Sequence, residues 1–133
     1  MSKYTKINLI QVDNSSQTEG NEAYFGRKHL ESKELGVSLF RYAPNSKASM
    51  AHSHTEQEEA YLITNGSGWI LLDETVEEIK QWDLLRVSPE VIRAFAAGPD
   101  GLEVVAVGGQ KPEGGDGVRH DAVWPEDFLA EHQ

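Results

Sequence analysis

The chain has 133 residues, with 12 Lys and Arg against 22 Asp and Glu, a formal net charge of −10 and no cysteine. That length fits a single domain with one real core. The acidic balance argues against nucleic acid and anionic membranes as partners, since both need clustered positive charge, and the missing cysteines exclude disulfides, thiolate metal sites and thiol nucleophiles.

In chain order, the first predicted strand is 7–12, in a segment (1–36) that reads as a strand and loop packing on the body of the domain. The opening residues lack an apolar run of signal-peptide length, and nothing approaches the ~20 apolar residues of a membrane span. The expectation is a soluble cytoplasmic protein. Further short runs are predicted at 37–42, 48–54, 59–64, 69–72, 77–79, 84–87, 93–97 and 103–107. Between them stand turn-forming stretches such as Ala43-Pro-Asn-Ser, Asp73-Glu-Thr and Ala97-Gly-Pro-Asp-Gly. Short strands at this spacing predict an all-β antiparallel sandwich or barrel. Asn65-Gly66 reads as a hairpin turn, because both residues tolerate positive φ. The acidic stretch 74–78 reads as a solvated hairpin edge. Residues 37–110 form the expected barrel core. Residues 111–133 read as a Gly-rich linker and a tail, in which Pro125 opens one or two helical turns anchored by Trp124, Phe128 and Leu129.

The chemistry concentrates in His52-Ser53-His54-Thr55-Glu56-Gln57-Glu58-Glu59. On a strand His52 and His54 share a face, because side chains alternate with period two. Glu59 opens the next strand, where it shares a face with Tyr61 and Ile63. Two imidazoles and one carboxylate suit a divalent ion, with Fe, Mn, Ni and Zn all compatible, and leave positions open for substrate. Glu58 is the alternative ligand, ranked second because it misses the spacing to Gly66. Tyr61 and Phe95 are candidates to line a substrate pocket, beside an ordinary core role. Gln57 reads as a solvated turn residue. His29, His120 and His132 lack partners at ligand spacing and read as surface or satisfied histidines. Gly114-Gly-Asp-Gly lacks the strand-before, helix-after context of a phosphate loop.

His52-x-His54-x4-Glu59-x6-Gly66 resembles the first motif of the cupin superfamily, Gly-x5-His-x-His-x3,4-Glu-x6-Gly, with Ser46 where the leading glycine stands. The resemblance spans roughly residues 37–107. It implies a small antiparallel jelly-roll barrel, here with a short C-terminal helical tail, a metal centre inside it, and frequent homodimers, for which strand 7–12 is a candidate pairing or swapping element. The family's second motif is degraded: Trp82, Ser88 and Glu90 replace two glycines and a proline, and Arg93 stands at the histidine that would be a fourth ligand. Arginine stays protonated and is not an ordinary ligand. A guanidinium about 6 Å from a centre of net charge about +1 is repelled by about 3 kcal/mol at an effective dielectric of about 20. Arg93 therefore has three open placements: pairing the anionic group of a substrate, pairing Glu59 or Glu58 in the space of the metal, or swinging outward. The function expected is metal-dependent action on, or binding of, a small anionic or polyhydroxy molecule, with oxygenase, isomerase and decarboxylase chemistry all found on this fold. A non-catalytic ligand-binding or sensor protein with a vestigial site is the rival. A structural dimer partner for another protein is the third reading.

Overall fold

A computed structural model describes residues 3–132 of the chain. After a 3-10 turn at Leu9–Gln11 come β1 (Glu22–Phe25), α1 (Arg27–Leu30), β2 (Gly36–Tyr42), β3 (Met50–His54), β4 (Glu59–Leu72), β5 (Thr75–Lys80), β6 (Leu84–Val87), β7 (Arg93–Gly108), β8 (Gly117–Asp121) and α2 (Glu126–Glu131). The strands form one curled antiparallel sheet in the order β1-β2-β7-β3-β8, and β4 joins β7 to β5 and β6. Among the described residues, no helix is long and apolar enough to cross a membrane.

The period-two pattern explains the core. In β4, Tyr61 and Ile63 point inward and are buried, as are Ile70 from the same strand and Phe95, Leu102 and Val104 from β7. Each such side chain taken out of water contributes roughly 1.5–3 kcal/mol. A second cluster lies on the other face of the sheet. There Ala51, Leu71, Ala94 and Ala96 are covered by Trp124 and Phe128. The indole of Trp124 donates to the Ala48 carbonyl at 2.9 Å, which docks α2. Trp124 and Phe128 are thus the tail's anchors, whereas Leu129 is exposed at 36%.

Four expected features differ. Residues 7–12 do not form a strand. The Asn8 side chain accepts from the Ile10 amide at 3.2 Å and holds a 3-10 turn instead, a local bond that competes with strand pairing. Asn65-Gly66 does not reverse the chain. β4 runs straight through it, with Gly66 at φ 76° and register shifts on either side. The predicted turn at 97–101 likewise becomes an excursion inside β7, since Gly68 pairs with Ala97 while Gly66 pairs with Leu102. A Cβ at Gly66 would collide with the Gly101 carbonyl, so the two long strands bend together at these glycines. Finally, part of the expected linker and tail is β8, which pairs with β3 from Met50↔Asp121 to His54↔Gly117.

Candidate functional site

β3 places His52 and His54 on one face, and β4 begins with Glu59 beside them. His54 Nε2 lies 3.1 Å from Glu59 Oε1, and His52 Nε2 lies 3.4 Å from the same oxygen. One ligand atom from each of the three side chains falls within 4.8 Å of the others. Donors about 2.1 Å from a shared ion in tetrahedral geometry sit about 3.4 Å apart, so the two distances to Glu59 are compatible with such an ion as well as with hydrogen bonds. His52 is the more open of the two imidazoles, with 42% of its side chain exposed against 12% for His54.

The other ring nitrogen of His54 faces Asp116. Nδ1 lies 2.9 Å from Asp116 Oδ1, while Oδ2 accepts the backbone amides of Glu56 and Gln57 at 2.8 and 2.7 Å. One carboxylate therefore orients the imidazole and also pins the turn that separates the histidines from Glu59. A carboxylate behind a ligand imidazole fixes its tautomer and raises its basicity. Sequence reasoning missed Asp116. Its run of glycines carries no ligand spacing, and only the β3–β8 pairing brings it 62 residues back to His54.

Arg93 pairs with Glu59, the partner named in the second of its three placements, but it does so from inside the wall and not from the cavity. Its register partner across the sheet is His52, and it is fully buried. Nη2 donates to Glu59 Oε1 at 2.7 Å, Nε donates to the Tyr61 hydroxyl at 3.0 Å, and Nη1 lies 2.9–3.4 Å from the carbonyls of Val91, Pro89 and Ser88. All three nitrogens are engaged inside the wall, and Arg93 does not line the cavity. This corrects its expected role as the group that holds a substrate's anion. Tyr61 donates its hydroxyl to the same Glu59 oxygen at 2.6 Å. Glu58 points elsewhere and pairs with exposed Arg86 at 3.2 Å, so it takes no part in the cluster. Gln57 is buried rather than solvated, with Nε2 donating to the Gly109 carbonyl at 2.9 Å.

The electrostatics follow from these bonds. Burial alone would raise the Glu59 carboxyl, but hydrogen bonds from His52, His54, Tyr61 and Arg93 outweigh it and hold the group well below the usual carboxylate range. The Glu59 contact raises the His54 imidazole, burial opposes this, and Asp116 raises it further. The Tyr61 hydroxyl is pushed up by burial and by the Glu59 charge, so it stays a donor. Burial opposes ionisation of Asp116 too, yet the Glu56 amide, His54 and the Gln57 amide hold it below its ordinary value.

Above the cluster opens a cavity of about 750 Å³. His52, His54, Glu59, Tyr61, Phe95 and Asp116 line it, together with the half-buried Tyr42. The volume lies in the range of small-molecule pockets.

No family model matches the sequence, and no curated protein matches it. Solved structures do match. A cupin protein from Bacteroides fragilis aligns over 83% of this chain and 86% of its own, with 22% identity and a TM-score of 0.69. KdgF from Halomonas aligns over 83% and 97%, with 14% identity and a TM-score of 0.64. A mutant of Bacillus subtilis oxalate decarboxylase aligns over 83% of this chain but 31% of its own, with 16% identity and a TM-score of 0.69. At such identities the likeness establishes the fold and leaves the activity open.

Proposed function

This chain has the cupin fold, and on that premise we propose that it is a metal-binding cupin for a small anionic or polyhydroxy molecule. His52, His54 and Glu59 hold a divalent ion in the cavity, with Fe, Mn, Ni and Zn all suited to two imidazoles and a carboxylate. The observation that carries this reading is the convergence of the three donors with Asp116 behind His54. Asp116 accepts the Nδ1–H, so the Nε2 lone pair is free for an ion. A bound ion of this kind supplies Lewis acidity or a site for dioxygen. The chain's own residues do the rest. Tyr61 and Arg93 clamp Glu59, and the buried guanidinium beside the carboxylate leaves an ion-loaded site with a net positive charge. That charge favours an anionic ligand at the open coordination positions.

A second reading has its own support. Glu59 Oε1 already has four polar neighbours: Tyr61 and Arg93, which donate to it, and the Nε2 atoms of His52 and His54. That arrangement also suits a ligand-binding protein whose cluster is held by hydrogen bonds alone. Elemental analysis of protein purified without chelator or affinity metal separates the two. A stoichiometric ion that is lost in His52→Ala and His54→Ala supports the metal reading. Protein that takes up none of Fe, Mn, Ni or Zn on titration leaves the second reading standing.

A further inference from the structure

The lining of the cavity is not confined to the His52, His54 and Glu59 cluster; it also carries cations. Arg27, Lys28 and Lys111 line it in a chain whose net charge is −10. We propose that Arg27 is the anion-recognising residue of this cavity, and that the ligand it selects is a small carboxylate with an aromatic or apolar body. This rests on reading the cavity as a small-molecule site, but not on the ion.

The first support is the state of the guanidinium. Arg27 Nη2 donates to the Gly109 carbonyl at 2.6 Å. Nη1 is closed to solvent and, among the described residues, meets no hydrogen-bond partner, so a ligand engages it once the side chain turns toward the cavity. A buried donor without an acceptor is costly to keep, and a planar guanidinium matches a carboxylate through two parallel bonds. The second support is the seat. A Cβ built on Gly36 would lie 2.5 Å from Arg27 Nη2 and 2.8 Å from its Cζ. The guanidinium therefore rests directly on the backbone at Gly36, held between β2 and the Gly109 carbonyl, which Gln57 also engages.

The body of the ligand is argued from the wall. Phe25, two residues before Arg27, meets Phe40 edge-on at 5.6 Å between ring centroids. Phe40 meets Tyr42 at 6.4 Å, Tyr42 meets Phe95 at 5.7 Å, and Phe95 meets Tyr61 at 5.1 Å. All five rings line the cavity. They form a continuous aromatic path from the neighbourhood of Arg27 to Tyr61, whose hydroxyl bonds Glu59. Such a wall suits a planar or apolar body. Of the acids lining the cavity, Glu59 and Asp116 are already hydrogen-bonded to His54, which leaves Glu31 against three cations.

The test is calorimetric titration of the full chain with benzoate, 3-phenylpropanoate and octanoate, and with 3-phenylpropanol as the uncharged control. Wild type should bind at least one of the carboxylates. Arg27→Gln should weaken that binding about ten- to a hundred-fold, the worth of a lost charge-assisted bond, and leave the alcohol unaffected. Gly36→Ala, which displaces the guanidinium but keeps it, should weaken the carboxylate in the same direction. Metal content, measured on the same samples, should not change in either variant. Carboxylate binding that survives Arg27→Gln overturns the proposal, as does a wild type that binds none of the three carboxylates. A metal-free wild type that still loses carboxylate affinity on Arg27→Gln upholds Arg27 while the metal reading fails.

Discussion

At the scale of single residues, the site is governed by one oxygen. Glu59 Oε1 accepts from Arg93 at 2.7 Å and Tyr61 at 2.6 Å while facing both imidazoles. Arg93 is fully buried and Glu59 nearly so. Removing one partner of a buried ion pair leaves the other charge uncompensated, at about 3–5 kcal/mol, even though an apolar replacement for the whole pair can be neutral. Arg93→Met should therefore lower unfolding free energy by about 3–5 kcal/mol in urea titration. A loss under about 1 kcal/mol would mean that the cavity keeps Glu59 hydrated and that the pair is a surface-like contact. The histidines and Glu59 were readable in the sequence, because a period of two and a short turn suffice to bring them together. The partner of Arg93 was not, since three placements satisfied the same residues and only the depth of burial chooses among them. Asp116 was out of reach for a different reason: its role depends on a strand pairing, not on its neighbours in sequence.

At the scale of elements, the two long strands β4 and β7 carry the barrel, and they bend where glycines sit in each: Gly66 at φ 76° and Gly101 at φ 80°. The local turn chemistry at these positions was legible. What it could not reveal is that both turns face each other across a ladder, so that neither reverses the chain. Next to the bend, Glu103 of β7 ties three strands. Arg41 of β2 donates to it at 2.8 Å, and the Thr64 hydroxyl of β4 donates at 2.7 Å. Burial works against the Glu103 carboxylate, but Arg41 and Thr64 hold its pKa below the ordinary value. A carboxyl whose folded pKa is depressed adds stability that is present above its unfolded pKa, about 4.3, and is lost as pH falls through the folded value. Glu103→Gln should thus destabilise the protein at pH 7 and narrow its gap from wild type below about pH 4. Thermal melts at pH 7, 5 and 3.5 measure this. A gap that is constant across the three would assign the cost of the substitution to packing instead.

At the scale of the molecule, the C-terminal residues decide whether the site exists at all. β3 carries His52 and His54, yet its ladder to β7 is a single register pair, His52↔Arg93, while β8 pairs with all five of its residues. α2 then covers the outer cluster over Ala51, Leu71 and Ala94. The Gly-rich stretch before β8 hid this, because a strand with only one half-buried residue, His120, shows no alternation to read. His120 is itself satisfied by the Ser53 hydroxyl at 2.9 Å. Two changes separate the contributions. Phe128→Ala removes a ring stacked on Trp124 at 5.0 Å and should cost about 3–5 kcal/mol, with β8 and the His52, His54 and Glu59 cluster left in place. Ending the chain at residue 110 removes β8 and Asp116 as well. It bares the β3 edge and leaves the His54 imidazole without its orienting carboxylate. Denaturant titration should then show no cooperative transition for the shortened chain, and a reduced midpoint with an unchanged slope for Phe128→Ala. A shortened chain that unfolds cooperatively would place the hold on β3 within the barrel core, and the histidine pair would then owe its position to β7 alone.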